Sequence, residues 1–228
     1  MHKTAMLHGR LFFETYVSAP VSIVDIGSQD VNGSLRSVAP PGCKYTGVDF
    51  VQGKGVDVII SDPYALPFPD ETFDIAVTSS CFEHSEFFWL TFLEVLRVLK
   101  PHGLLYLNVP SNGPFHRYPL DCWRFYPDSG RALQNWARRQ GIEAQLLESF
   151  VGPQNTGAWN DLVAVFLKDR RSANQYTGRI VDHYPAVTNA SVSGREGFIN
   201  ESFWPEDQLR PLLRLKRKLL GWAGRGPE

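Results

Sequence analysis

The sequence predicts a doubly wound α/β domain, and three observations carry the prediction. Residues 21–27, VSIVDIG, are an apolar run that breaks into small, turn-forming residues, as a buried parallel strand does on entering a tight elbow. Shorter apolar runs recur downstream, separated by turn signals and by a strongly periodic helix at 87–99. A chain of 228 residues that is 43% hydrophobic is long and apolar enough for one domain with a sizeable core plus an extension.

Leu7, Leu11, Phe12 and Tyr16 recur at helical spacing ahead of Pro20, which predicts an N-terminal helix within 1–20 covering the sheet edge; a substrate lid is the sharper alternative. The strand at 21–25 and its elbow follow. Residues 35–38 have room for only a short helix before Pro40-Pro41-Gly42, and 45–49 and 56–60 read as the second and third strands. Asp70 and Glu71 turn the chain into a fourth strand through Val77, with a small polar exit at Thr78-Ser79-Ser80. On the 87–99 helix, Phe88, Phe92, Val95 and Leu99 share a face, which reads as core. Lys100-Pro101-His102-Gly103 is a turn into a fifth strand at 104–109. A helix ending near residue 140 and strands at 142–149 and 161–167 bring the count to seven.

From 169 to 203 no core period is visible, and the segment reads as an extension draped over the domain or a partner subunit. Within 205–222, Leu209, Leu212, Leu213, Leu219 and Leu220 oppose Arg214, Arg217 and Lys218. Such a basic amphipathic helix docks most often on its own domain; a membrane surface or a subunit contact, including a homo-oligomer, is the alternative.

Composition excludes several classes. A net charge of -1 argues against a polyanion binder, so no nucleic-acid partner is expected. Cys43, Cys81 and Cys122 form no CxxC pair, and no ligand cluster has a recognisable metal spacing, so no metal is expected. No apolar run approaches the roughly 18 residues that span a bilayer, and the N-terminus lacks a long apolar h-region, which makes the cytoplasm the expected location.

Spacing at the elbow separates the nucleotide readings. A phosphate-cradling loop needs Lys before Ser or Thr, and Gly33-Ser34 has none; G-x-G-x-x-G needs glycines where Gln29 and Asn32 stand. Asp49 ends the second strand about two dozen residues beyond Asp25, the interval at which nucleotide-binding α/β folds place a carboxylate for ribose hydroxyls; an ordinary solvated strand-end Asp is the alternative.

The residues Asp25-Ile26-Gly27 resemble the first motif of class I S-adenosylmethionine-dependent methyltransferases, with Gln29 and Val31 in place of that motif's second and third glycines. Asp62 with Leu66-Pro67-Phe68 fits the family's D-x-x-x-L-P-F segment. Glu94, Arg97, Val98, Leu99, Lys100, Pro101 and Gly103 sit where the family has them. The resemblance spans about 21–168. It implies a Rossmann-like α/β fold, a seven-stranded mixed sheet with its last strand antiparallel and helices on both faces. It also implies S-adenosylmethionine as cofactor, held by Asp25, Gly27, Ser28, Gln29, Asp49, Phe50, Asp62, Pro63 and Ser79. Backbone amides at Gly27 and a following helix N-terminus are expected to face the ligand.

Residues 111–126 interleave aromatics, prolines and charged side chains without a period, and resemble the substrate-side insertion of a subset of bacterial methyltransferases of this class. If the acceptor is a hydroxyl, a general base helps its proton leave, and the candidates on the correct edge are His84, His116 and Asp121. Two of them have structural alternatives: His84 as a packed histidine, Asp121 as a partner of Arg124. Trp123 and Tyr118 suit stacking on a sugar or aromatic acceptor. The expectation is a methyltransferase acting on a small molecule or glycan at oxygen; the alternative is a scaffold or binding protein that kept the fold after losing catalysis.

Overall fold

A computed structural model describes residues 3–154, 159–202 and 215. Eight strands form one sheet: β1 (Ser22–Ile26), β2 (Lys44–Asp49), β3 (Val58–Ile59), β4 (Phe73–Ser79), β5 (Leu99–Pro110), β6 (Gln145–Val151), β7 (Asp161–Leu167) and β8 (Thr188–Val192). The order across the sheet is β3-β2-β1-β4-β5-β7-β6-β8. Neighbours from β3 to β5 pair in parallel, which brings the carboxyl ends of β1 to β5 to one edge. β7 runs antiparallel between β5 and β6, and β8 runs antiparallel to β6.

Strand alternation splits the core into two layers. Val24 and Ile26 point to one face with Ala76, Leu105 and Leu107, covered by α2 (Phe88–Val98) and α3 (Ser129–Arg139). Ile23, Ile75, Val77 and Tyr106 point to the other, covered by α1 (Lys3–Tyr16) through Phe12, Phe13 and Tyr16. Burying a side chain of this size contributes about 1.5–3 kcal/mol. The first helix therefore caps a sheet face rather than an edge, because its buried stripe is Ala5, His8, Phe12, Phe13 and Tyr16, with Leu7 and Leu11 at the margin.

Two clamps position the functional edge. Leu66 N–H donates to Glu94 Oε2 at 2.8 Å, while Arg97 holds Glu94 and reaches the Leu66 and Phe68 carbonyls at 3.0 and 2.9 Å. The paired Glu94 and Arg97 thus hold the Leu66-Pro67-Phe68 segment and the turn that carries Asp62. On the opposite face, Glu148 accepts from Tyr16 Oη at 2.6 Å and from the Ile180 and Val181 amides, tying α1 to the segment after β7.

Three expectations change. The sheet has eight strands, because residues 188–192, where the sequence shows no core period, add backbone pairing to β6 and bury Ala190. Lys100-Pro101-His102-Gly103 lies within β5, which begins at Leu99 directly after α2 and shifts register between Phe73 and Ile75. The third strand shrinks to Val58–Ile59. The basic amphipathic stretch at 205–222 lies outside the described residues apart from Leu215. Among the described residues no helix is long and apolar enough to cross a membrane.

Candidate active site

The site grows from β1 outward. After Ile26 the chain turns at Gly27 with φ +78, the left-handed region that favours glycine, and a Cβ there would lie 2.8 Å from Cys81 Cβ and Sγ. The elbow amides are spent on protein: Gly27 and Ser28 N–H both donate to Val48 O, at 2.9 and 3.1 Å, and Gln29 N–H donates to Asp49 Oδ2 at 3.1 Å. No helix begins at the elbow; the next helical turn is the short Leu35–Val38 segment. Backbone amides and a helix N-terminus therefore do not face a ligand here, since β2 and Asp49 take the hydrogens first.

Side chains remain. Asp49, 9% exposed, accepts from Gln29 and Val51 amides, and a carboxylate has about four lone-pair directions, so acceptor capacity is left over. Ser28 and Ser79, buried on either side of Gly27, have hydroxyls without a hydrogen-bond partner. Phe50 is half exposed beside Asp49. Asp62 is exposed and accepts from Tyr64 N–H at 2.8 Å, with Pro63 between them.

Two cofactor candidates lie differently from expectation. Asp25 sits beneath the elbow on the α1 face, accepting from Tyr45 Oη at 2.7 Å, and burial pushes its carboxyl up to about 7. It is a support rather than a ligand contact. Gln29 reaches sideways: its Oε1 accepts from Tyr118 Oη at 2.9 Å, bridging the elbow to the 111–126 loop. Val31 is 54% exposed and leaves the elbow clear.

Beside this crevice the loop folds back on the segment after β4. Cys122 and Trp123 N–H donate to Glu83 O at 2.7 and 3.2 Å, and Trp123 Nε1 donates to Ser85 O at 2.9 Å. The His84 Nδ1 pairs with Leu120 O. Its ring meets the His116 ring edge-on at 4.9 Å, and burial lowers the His84 pKa. His116 in turn packs at 4.7 Å on Trp159. Gly113 makes room for that indole, because a Cβ there would stand 2.0 Å from it.

Asp121 plays another part than a base. Arg124 grips it with both terminal nitrogens at 2.6 and 2.8 Å, and this pairing holds its carboxyl down to about 2. A group that acidic does not collect a proton near neutral pH. Asp121 also takes the His116 amide at 2.7 Å and stands 3.4 Å from His116 Nδ1, so it orients the imidazole.

Sequence reasoning missed Glu83 and Trp159. Glu83 is 1% exposed, its Oε2 has no hydrogen-bond partner, and burial pushes it up to about 8. One ligand atom from each of Glu83, His84 and His116 lies within 4.8 Å of the others, a cluster where the sequence predicted no metal grouping. The adjacent Glu83-His84 pair is visible in the chain; the third member arrives only when the loop folds back.

A parallel sheet whose β1 ends in a glycine elbow, with a carboxylate at the tip of β2 and a polar loop above, is a doubly wound α/β sheet with its candidate site at the carboxyl edge. Residues 24–107 match the family model described as a methyltransferase domain. The chain is 31% identical over 160 residues to an uncharacterized methyltransferase of Mycobacterium leprae, covering 62% of this chain and 57% of the relative. The chain thus spans little more than half the length of that relative.

Among solved structures it resembles the Burkholderia thailandensis 1,6-didemethyltoxoflavin-N1-methyltransferase with bound 1,6-didemethyltoxoflavin and S-adenosylhomocysteine. The TM-score is 0.58 at 17% identity, over 73% of this chain and 79% of that one. The [4+2]-cyclase SpnF scores 0.54 at 18% identity, over 72% and 81%.

Proposed function

We propose that this chain is an S-adenosylmethionine-dependent methyltransferase acting on a small molecule or glycan, at oxygen. The observation that carries the reading is one sheet edge that presents a carboxylate with spare acceptor capacity, Asp49 at the tip of β2, together with Ser28 in the elbow and Ser79 at the end of β4, two buried hydroxyls without hydrogen-bond partners. These groups fit a polar adenosyl cofactor: Asp49 for the ribose diol, the Asp62 turn for the base and Phe50 beside it. When bound, the cofactor supplies an electrophilic methyl group on a positively charged sulfur, so positioning is most of the catalytic task. Tyr118 and Trp123 flank an acceptor, while His116, 38% exposed, takes the proton of its hydroxyl. His84 packs behind His116, and Asp121 holds the ring in place.

Calorimetric titration with S-adenosylhomocysteine tests the reading. Asp49→Asn should weaken binding by about 1–3 kcal/mol through loss of charge-assisted hydrogen bonds. No heat with the intact chain would overturn it. The second reading, a scaffold that kept the fold, is favoured by the Gln29–Tyr118 bridge across the crevice mouth, and the same titration decides between them.

A further inference from the structure

We propose that Glu83, His84 and His116 form a binding site for one divalent first-row transition cation, of which Zn2+ is the reference case. Their donor atoms already converge to within 4.8 Å of one another. Ligands about 2.0–2.2 Å from a tetrahedral ion stand roughly 3.5 Å apart, so modest side-chain rotations complete the set.

The outer partners of the two imidazoles favour metal binding. The Leu120 carbonyl can only accept, so His84 Nδ1 carries the hydrogen and its Nε2 presents a lone pair, 3.8 Å from Glu83 Oε1. Ligating histidines characteristically donate their other nitrogen to a carbonyl or carboxylate in this way. His116 Nδ1 makes no hydrogen bond, but the Asp121 carboxylate stands 3.4 Å from it, fixed by Arg124, within reach of becoming its outer partner. Glu83 supplies the independent evidence: at 1% exposure, its Oε1 stands 3.8 Å from His84 Nε2 and its Oε2 is buried with no hydrogen-bond partner. A buried carboxyl with an unpartnered oxygen beside two imidazoles offers a ligand atom that a cation would pair by displacing its proton.

Two imidazoles with one carboxylate suit Zn2+, Co2+, Ni2+ or Fe2+, and disfavour Mg2+ and Ca2+, which prefer all-oxygen shells. The three protein ligands leave a position open. His116 is the exposed member, so that position and the entry route lie on the loop side, where an acceptor oxygen would coordinate. In the loaded protein His116 is a ligand, and the cation would lower the pKa of a coordinated acceptor hydroxyl so that its proton leaves to solvent. Cation binding does not depend on the methyltransferase reading and is measured without it.

The test uses the full chain, stripped with a chelator and titrated with Co2+ while visible absorption is recorded. One equivalent should produce a d–d band that Zn2+ abolishes. His116→Ala, at a partly exposed position, should weaken Co2+ binding about tenfold or more, and Glu83→Gln should do the same. His183→Ala, an exposed histidine outside the cluster, should leave the band unchanged. Absence of a stoichiometric band, or a band that survives His116→Ala at wild-type affinity, overturns the proposal. Should Glu83→Gln fail to fold, the His116 variant alone decides. Heat with S-adenosylhomocysteine but no cobalt band would sink this site and spare the methyltransferase reading; the converse result would do the opposite.

Discussion

The elbow at Gly27 and the loop at 111–126 stand at the same end of the sheet and are held there by opposite means. The elbow is fixed by main chain: its amides go to Val48 O and Asp49, and the strand before it is hydrogen-bonded on both sides. The loop is fixed by side chains: Arg124 on Asp121, Asn112 on Asn160 at 2.6 Å, and His84 on Leu120 O. A main-chain lattice fails only when the sheet fails, whereas a side-chain lattice opens locally. The first suits a constant cofactor, the second an acceptor that must enter and leave.

The largest expected effect belongs to Asp25, under the elbow. Its folded pKa, raised from 3.8 to about 7, lies above the unfolded value. The folded state therefore holds the proton longer: its stability contribution is complete below about pH 4 and is lost as pH rises through about 7. At about 1.4 kcal/mol per unit, the loss reaches about 4 kcal/mol, an upper figure for the intact chain. Asp25→Asn keeps an acceptor for Tyr45 and should flatten urea midpoints between pH 4 and 8; an unchanged slope would remove Asp25 from the account.

Arg124→Ala comes next, because it strands the buried Asp121 carboxylate at a cost of about 3 kcal/mol. If the comparison holds, the cost appears as faster hydrogen exchange at the His116, Cys122 and Trp123 amides, with a smaller change in the global urea midpoint. Gly27→Ala should do the reverse. A left-handed φ and the close Cys81 together cost about 2–3 kcal/mol, spread over the whole domain. Exchange confined to the elbow would break the contrast. The smallest effect is expected of Tyr118→Phe, which deletes the one described hydrogen bond between the Gln29 side chain and the loop, worth about 1 kcal/mol. Loop exchange should quicken while thermal stability barely moves.

Much of the frame was legible in the chain. Periodicity placed the 87–99 helix close to the observed Phe88–Val98, and the apolar runs placed β1, β2, β4 and β7 within a few residues. Short apolar runs flanked by a neighbouring strand on each side carry their own pattern. β8 did not, because its backbone pairing to β6, rather than a long apolar face, makes it a strand. At the site, the placement of Asp49 at the tip of β2 and of Asp62 just after β3 was readable from strand ends. The donors that meet Asp25, Gln29 and Asp121 were not, since each partner lies on a separate element or limb of the loop.

Residue order alone determined an α/β sheet, an elbow at Gly27, carboxylates at the tips of successive strands and a polar loop after the fifth. Tertiary structure decided which groups touch: that the elbow amides are consumed by β2, that Asp121 orients rather than accepts a proton, and that Glu83 joins two imidazoles. Pattern encodes burial along one element, because a strand or helix repeats its own geometry. A contact between side chains distant in the chain depends on where two loops land, and that is set by the packing of everything between them.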